Sequence, residues 1–343
     1  MKLTRIIFCL LPAILFLGCS SSSNITPVFK PNDNRYTSAY PDRNISEKLE
    51  SIHHSVQRVI STVQYKVYDL HDKSLTYDNI FNSNLDSLAP KSTVASESNA
   101  GTAISILRNN KYTVFITAAH VITSPDTLYS FQENNRKGRQ AVVRSVSVKK
   151  DQNIYLFDQG LLFGLETVAV DPEKDLALLF AKNKSNLTAP VLSIQTGTAK
   201  NLAWGSVIYI MGYPLGNAMV TNGIVSSPDY DKRGSFLTDA LFNHGISGGI
   251  IIGSNDSYKT FEWVGMASTS SVRKQHFLIP NPLENKFYQN LDAYMDTSYV
   301  MEMNFINYGV SKTISIENIL QFIYDNEKKL NKLGLSATGL PGQ

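Results

Sequence analysis

The sequence predicts an all-β protein, a barrel or a sandwich, that ends in a single helix. Short runs of β-branched and aromatic residues recur from Ser51 onward, separated by turn residues, which is typical of many short strands. Only the C-terminal tail has a long helical period. The 343 residues are 43% apolar and 18% charged, a globular balance that argues against a fibre or a disordered chain. The strand-like runs are 60–68, 103–107, 113–118, 141–148, 176–180, 207–211, 223–226 and 261–266.

The first residues of the chain predict export. Two basic residues precede an apolar run over residues 6–17, which is too short to span a bilayer but has the length of a signal-peptide core. The run leads to Cys19 and then to four serines. This arrangement resembles a bacterial lipoprotein signal, in which Cys19 receives a lipid and residues 1–18 are removed. Phe16 departs from the usual leucine, and a plain secretory signal is the alternative.

Cysteine content and charge limit the chemistry of the mature chain. Cys9 lies inside the predicted signal and Cys19 at its end, so no other thiol remains for a disulfide, a nucleophile or a metal site. Removal of Lys2 and Arg5 with the signal lowers the net charge from +3 to +1. Nothing in this balance indicates nucleic-acid binding. The histidine spacing shows no metal-ligand pattern, so we expect neither a metal nor another cofactor.

The segments outside the strand-rich region are predicted to be a tether, two insertions and a tail. Residues 19–50 are predicted to form the lipidated cysteine and a disordered tether, because residues 20–43 are rich in serine, asparagine and proline. Segments 69–100 and 271–303 are predicted insertions, which are often functional when they are this long. Residues 336–343 are predicted to be a disordered tail.

The terminal helix is predicted over residues 315–333. Apolar residues recur on one of its faces, Ser315 suits the N-cap, and Gly334 suits the residue that ends it. Lysines cluster near its C-terminal end, where a positive charge is favourable. The apolar residues on that face are Ile316, Ile319, Leu320, Ile323 and Leu330.

Three residues of complementary chemistry occur at predicted strand ends or turns. His120 follows a strand and stands next to small alanines, and a neutral imidazole is the usual general base near physiological pH. Asp175 directly precedes an apolar strand, where its charge can pair with an imidazole N–H; Asp171 is only a slightly weaker candidate. Ser247 lies among glycines, and Gly245 allows two backbone N–H groups to face one point, as an oxyanion requires.

In the order His, Asp, Ser, these motifs resemble a chymotrypsin-like serine protease of the bacterial HtrA (Deg) kind. The resemblance covers about residues 95–268 and depends on an ordered set of motifs, each of which is weak alone. The motifs are GTAIS at 101–105, ITAAHVI at 116–122, DLALL at 175–179, MGYPLG at 211–216, VTNGIVS at 220–226, TDA at 238–240, GISGG at 245–249 and VGM at 264–266.

The resemblance implies a trypsin-like protease domain over residues 51–335. It implies two six-stranded β-barrels, the first over about residues 55–185 and the second over about 186–312, followed by the helix at 315–333. Fewer than a hundred residues follow the predicted nucleophile, so no PDZ domain is expected. The site is expected in the cleft between the barrels.

The resemblance also implies a role for each site residue. His120 takes the proton from Ser247 and passes it to the leaving amine, while Asp175 fixes the imidazole tautomer. The amides of Gly245 and Ser247 form the oxyanion hole. Leu241 is expected at the floor of the substrate pocket with Phe242 beside it, and an apolar floor disfavours a buried cationic side chain. We therefore expect cleavage after small or medium apolar residues; the pocket residues are Leu241 and Phe242.

The predicted function is that of a serine endopeptidase of the bacterial cell envelope that acts on unfolded or damaged proteins. Its expected partners are polypeptide substrates and, through the lipid anchor, the outer membrane or the periplasmic face of the envelope. The oligomeric state stays open, a homo-oligomer included. Ile246 stands where the family usually has a polar residue, so packing must set the oxyanion turn. The alternative function is a protease-fold binding or scaffold protein in which that turn is collapsed.

Overall fold

The computed structural model describes residues 36–41, 43–70, 73–81, 83–89, 91–132, 141–183, 186–255, 258–279 and 299–340. The predicted signal and Cys19 therefore lie outside the described residues, as does much of the predicted insertion at 271–303. No helix in the described part of the chain is long and apolar enough to cross a membrane.

Strands dominate the described residues, as predicted. The strands are β1 Val56–Asp69, β2 Ser92–Arg108, β3 Tyr112–Ala118, β4 Thr127–Phe131, β5 Val143–Asp158, β6 Leu161–Asp171, β7 Leu176–Lys182, β8 Gln195–Thr196, β9 Val207–Gly212, β10 Met219–Ser227, β11 Leu237–Thr238, β12 Ile250–Asn255, β13 Thr260–Ile279 and β14 Tyr299–Ser315. The α-helices are α1 Ser46–His53, α2 Tyr77–Ile80, α3 Leu85–Leu88, α4 Ala119–Ile122, α5 Ile316–Asp325 and α6 Glu327–Asn331.

The strands form two closed barrels of six strands each. In the first barrel the order is β1-β2-β3-β7-β6-β5, and the pairing of β1 with β5 closes the ring while β4 adds to β5. In the second the order is β12-β9-β10-β11-β14-β13, closed by β12 with β13, and β8 adds to β13. Closure leaves few strand edges unpaired. The predicted fold class, two six-stranded barrels with a C-terminal helix, is confirmed.

The prediction of a disordered tether is wrong for its later residues, because the chain contacts the second barrel from Tyr36 onward. The Tyr36 ring is buried, and its hydroxyl donates to Glu262 (Oη–Oε2 2.7 Å). The backbone of Thr37 donates to Ser254 and accepts from Val207. Helix α1 then occupies residues predicted to be disordered. Composition indicated a flexible segment, but these distant partners hold it in place.

The C-terminal region also differs from its prediction. The single helix expected over 315–333 is two helices, α5 and α6, that meet at Asn326, whose side chain donates to the Phe322 carbonyl (2.9 Å). Ser315 caps α5 as predicted, by accepting from the Asn318 amide (3.3 Å). The predicted disorder of the tail is wrong for residues 336–340, because Glu327 accepts from the Ala337 amide (2.8 Å) and Ala337 is buried.

The predicted insertion at 69–100 is partly a strand. Strands β1 and β2 keep one register from Val56↔Ile104 to Tyr68↔Ser92, so residues 92–100 continue the sheet beyond the barrel. We call residues 61–69 and 92–100 the β1–β2 arm. Helices α2 and α3 cover one side of it around a small apolar core, the buried members of which are Tyr68, Leu70, Ile80, Ala89, Val143 and Val146.

Candidate active site

His120 lies on a one-turn helix that follows strand β3. Its neighbours Ala119, Val121 and Ile122 are buried, whereas 39% of the His120 side chain is exposed. The Asn99 side chain donates to the His120 carbonyl (3.1 Å) and links the turn to β2. Apolar anchors therefore hold the backbone while the imidazole stays open to solvent.

Asp175 approaches His120 from the turn between β6 and β7. It has a left-handed backbone (φ 56°), a conformation that a non-glycine residue adopts at some cost. Its carboxylate accepts from the His120 backbone N–H (3.0 Å), and both oxygens lie 2.9 Å from the ring Nδ1. Its backbone carbonyl also accepts from the Ala119 N–H (3.1 Å). Because a carboxylate accepts, Nδ1 carries the proton and Nε2 is left as the basic nitrogen.

The competing candidate Asp171 serves the turn instead. Its carboxylate accepts from the backbone N–H groups of Glu173 (3.1 Å) and Lys174 (3.0 Å), and it lies 3.7 Å from the Lys174 ammonium. These contacts are those of an Asx turn. The structure therefore brings Asp175, and not Asp171, to His120.

The environment of Asp175 keeps it ionised. Burial raises the pKa of its carboxyl, but the hydrogen bond and charge of His120 and the Ser268 hydroxyl (Oγ–Oδ2 2.7 Å) lower it by more. The net result is a pKa below the ordinary 3.8. A negative charge beside the ring stabilises the imidazolium that forms when Nε2 takes a proton.

Ser247 lies on the loop before β12, in the second barrel. Its hydroxyl donates to the carbonyl of Ser268 (2.9 Å), and within the described residues this is its hydrogen-bond partner. Ser268 on β13 therefore contacts both sides of the site, through its carbonyl to Ser247 and through its hydroxyl to Asp175. Sequence reasoning missed Ser268, which lies 21 residues after Ser247 in a serine-rich run without a distinctive motif.

Two backbone N–H groups beside Ser247 are left free by the hydrogen bonds of their neighbours. The His244 carbonyl accepts from the Leu215 N–H (2.7 Å), and the Ile246 carbonyl accepts from the Gly249 N–H (2.8 Å). The described peptide bonds are trans, and a trans peptide points its N–H away from its carbonyl. The N–H groups of Gly245 and Ser247 thus point away from these bonds and have no protein acceptor among the described residues.

Gly245 can hold this geometry because it has no side chain. Its φ is 100°, and a Cβ there would lie 2.5 Å from the Tyr213 carbonyl oxygen. The Thr102 hydroxyl donates to the Gly245 carbonyl (2.8 Å) and accepts from the Tyr213 N–H (2.9 Å). The next side chain, Ile246, is 2% exposed within the core. Apolar packing, backbone hydrogen bonds and the Thr102 hydroxyl set the turn, and residue 246 contributes no polar side chain to it.

The predicted pocket residues differ in exposure. Leu241 is 54% exposed, whereas Phe242 is buried at 5%. Both come directly before the loop that presents Ser247, and the selection of apolar residues stays a prediction. No group of three histidine, cysteine, aspartate or glutamate side chains suited to a metal ion occurs in the part of the chain that the structure describes.

Two comparisons with known proteins show what the chain is similar to. Residues 101–265 match the trypsin-like peptidase domain. This stretch contains His120, Asp175 and Ser247. The chain is also 34% identical over 121 residues to the periplasmic serine endoprotease DegP of Salmonella typhimurium (strain LT2). The aligned part is 33% of this chain and 24% of DegP, so the similarity spans about a quarter of that relative.

The two barrels are consistent with the match to the trypsin-like peptidase domain. The match and the similarity to DegP together support a trypsin-like peptidase, which is a hydrolase. The match begins at Gly101 and ends at Gly265, so the β1–β2 arm up to residue 100 lies outside it.

Proposed function

We propose that the chain is a serine endopeptidase of the bacterial cell envelope. The observation that carries the proposal is the bonding of the Asp175 carboxylate to both the ring and the backbone N–H of His120, inside a trypsin-like peptidase domain. This contact fixes the tautomer in which Nε2 is a base. Ser247 is the nucleophile that this base serves.

In the proposed reaction, rotation about the Ser247 Cα–Cβ bond moves its hydroxyl from the Ser268 carbonyl to Nε2 of His120. The oxygen attacks the scissile carbonyl as Nε2 takes its proton, and the developing oxyanion accepts from the N–H groups of Gly245 and Ser247. Each such donor lowers the barrier by about 3 to 4 kcal/mol. His120 then protonates the leaving amine, and water repeats the sequence to release the acyl group.

The substrates that we propose are unfolded or damaged polypeptides, cleaved after small or medium apolar residues. Leu241, which is 54% exposed next to the nucleophile loop, supplies the apolar surface for the residue before the scissile bond, and Phe242 follows it within the core. A lysine or arginine there would lose its hydration without gaining a partner. Valyl and alanyl peptide esters should therefore be better substrates than arginyl esters.

Labelling with a fluorophosphonate tests the nucleophile. We expect the wild-type protein to be labelled and Ser247→Ala to be unlabelled, with casein hydrolysis lowered by about 10⁶-fold in the variant. Thermal unfolding of both proteins shows that the variant is folded. A folded wild-type protein without label would favour the scaffold function, although the free N–H groups of Gly245 and Ser247 argue against a collapsed oxyanion turn.

We also propose that Cys19 is lipidated and anchors the protein at the outer membrane or the periplasmic face of the envelope. The support is the apolar run that ends at Cys19, together with the name of the relative DegP, which is periplasmic. Cell fractionation tests this. The wild-type protein should sediment with membranes, and Cys19→Ser should leave them; an unchanged distribution favours a plain secretory signal.

A further inference from the structure

The outer edge of strand β2 is open where the strand runs along the β1–β2 arm. On one side residues 92–100 pair with β1, and on the other β3 pairs only with residues 103–108 of β2. No strand in the described part of the chain pairs with that second side. The residues are Ser, Thr, Val, Ala, Ser, Glu, Ser, Asn and Ala. They include no proline and no lysine, which proteins commonly use to block an open edge.

The register shows which residues point their backbone groups outward. The Ser105 N–H donates to the Ser55 carbonyl on the side of β1. Bonding and non-bonding residues alternate in an antiparallel pair, and the register from β1 to β2 has no shift. The odd-numbered residues of β2 therefore bond to β1. The N–H and C=O groups of Val94, Ser96 and Ser98 therefore face outward. This stretch of β2 is open to solvent, and the Val94 side chain is 69% exposed.

This outward row leads directly to the candidate active site. Thr102 belongs to the same alternate set, and its N–H donates to the Ser247 carbonyl (2.8 Å). Asn99, between these residues, donates to the His120 carbonyl. The distance from residue 94 to residue 100 along an extended strand is about 20 Å. A polypeptide placed at Ser247 thus lies at the end of a row of outward backbone groups, at residues 94–100, that no described strand pairs with.

We propose that the edge of β2 from Val94 to Ser98 binds the leaving side of the polypeptide substrate as an added antiparallel strand. This inference rests on the proposed peptidase function. The edge reaches the site beside His120, which gives its proton to the leaving amine. A leaving segment that runs outward from there is antiparallel to β2, since β2 runs inward to Thr102. Backbone hydrogen bonds give affinity without a sequence requirement, so the edge selects extended, unfolded chains.

Ser96→Pro tests the edge with little effect on the barrel. Proline removes the outward N–H of residue 96 but none of the bonds to β1, and proline is tolerated on edge strands. The matched control Ser96→Ala keeps the N–H and removes only the hydroxyl. Three peptides with one apolar cleavage site serve as substrates: one short, one extended by about eight residues on the leaving side, and one extended equally on the acyl side.

We expect Ser96→Pro to raise KM for the leaving-side peptide by about five- to tenfold, the effect of one or two lost hydrogen bonds. KM for the short peptide, KM for the acyl-side peptide and kcat should stay unchanged, and Ser96→Ala should match the wild type. The backbone of the leaving segment can be N-methylated either at its odd-numbered or at its even-numbered residues. Only the set whose N–H groups face β2 should weaken binding when it is methylated. Equal KM values for Ser96→Pro and wild type on the leaving-side peptide would overturn the inference, as would a change confined to the acyl-side peptide.

A binding measurement separates this inference from the proposed function. Fluorescence anisotropy of the leaving-side peptide with Ser247→Ala, with and without Ser96→Pro, reports edge binding without catalysis. Cleavage that needs Ser247 but shows no dependence on residue 96 retains the peptidase and rejects the edge. Binding that Ser96→Pro weakens, without any Ser247-dependent cleavage, rejects the peptidase and retains the edge as a peptide-binding strand.

Discussion

The two sides of the candidate active site are held by different forces. On the first barrel, the Asp175 carboxylate fixes His120 through hydrogen bonds to its ring and to its backbone. On the second barrel, backbone hydrogen bonds, the Thr102 hydroxyl and the buried Ile246 side chain fix the loop, and the Ser247 hydroxyl has one described bond, to Ser268. A charge thus sets the tautomer of the proposed base, whereas backbone conformation sets the proposed oxyanion turn, so the two sides should fail in different ways.

Among the residues that position the reacting groups, the largest effect is expected on the charged side, from Asp175→Asn. The amide preserves the shape but favours the wrong imidazole tautomer, and kcat/KM for a short apolar peptide should fall by about 10⁴-fold. Asp171→Asn is the control, because the described partners of the Asp171 side chain lie within its own turn. That variant should retain nearly full activity. The assignment of the two aspartates would be wrong if Asp171→Asn were the inactive variant.

On the backbone side, Gly245→Ala should lower kcat by about 10²- to 10³-fold, the usual effect of losing one oxyanion donor. The new Cβ would lie 2.5 Å from the Tyr213 carbonyl oxygen, so the turn must shift. Gly160→Ala is the matched control, because Gly160 also has a positive φ (82°) but a Cβ added there would have no atom within 4 Å. It should lose about 1 kcal/mol of stability and no activity. Equal kcat values for the two variants would contradict a role for the Gly245 turn.

Thr102→Val tests how the first barrel supports the nucleophile loop. The Thr102 hydroxyl joins the Gly245 carbonyl to the Tyr213 N–H. Its loss should lower the free energy of unfolding by about 1 to 3 kcal/mol and kcat by about tenfold. Thr113→Val removes another buried hydroxyl of that barrel, which bonds to Asn183 away from the site.

The Thr113→Val control should lose similar stability in urea unfolding but keep its kcat. Thr102→Ser, which retains the hydroxyl, should recover most of the kcat. If the two valine variants lost the same stability and also the same fraction of kcat, the bridge between Thr102 and Gly245 would have no specific effect on the loop.

The same contrast explains what the sequence could predict. His120 and Asp175 stand at strand ends beside apolar runs, so local pattern indicated both, and Ser315 was recognisable as an N-cap. Ser268 could not be recognised from the sequence, because its contacts with Ser247 and Asp175 depend on where β13 places it in the fold. Composition also failed to predict that Tyr36 is held in place, because its hydrogen-bond partner Glu262 is far along the chain.

Residues 92–100 were predicted as part of an insertion for a related reason. Alternation between apolar and polar residues indicates a strand that buries one face. Residues 92–98 are exposed throughout, so the sequence has no alternation to show. Pairing with β1 alone makes this segment a strand, and pairing partners are a property of the fold.

The smallest effect is expected at Ser268, which touches both sides of the site. In the wild type the folded-state pKa of Asp175 is below 3.8. A lowered carboxyl pKa contributes stability above the unfolded-state pKa, and this contribution is lost as the pH falls through the folded-state pKa. Ser268→Ala removes one hydrogen bond that lowers the Asp175 pKa, so that pKa should rise and the loss of stability in acid should become smaller.

Urea unfolding near neutral pH and in acid below about pH 4 measures this difference. Ser311→Ala is the control, because the buried Ser311 hydroxyl bonds to a carbonyl, that of Ala240 (2.7 Å), and not to a carboxylate. Both variants should lose about 1 kcal/mol near neutral pH. Only Ser268→Ala should change the acid dependence, and an equal acid dependence in the two variants would show that Ser268 does not stabilise the Asp175 charge.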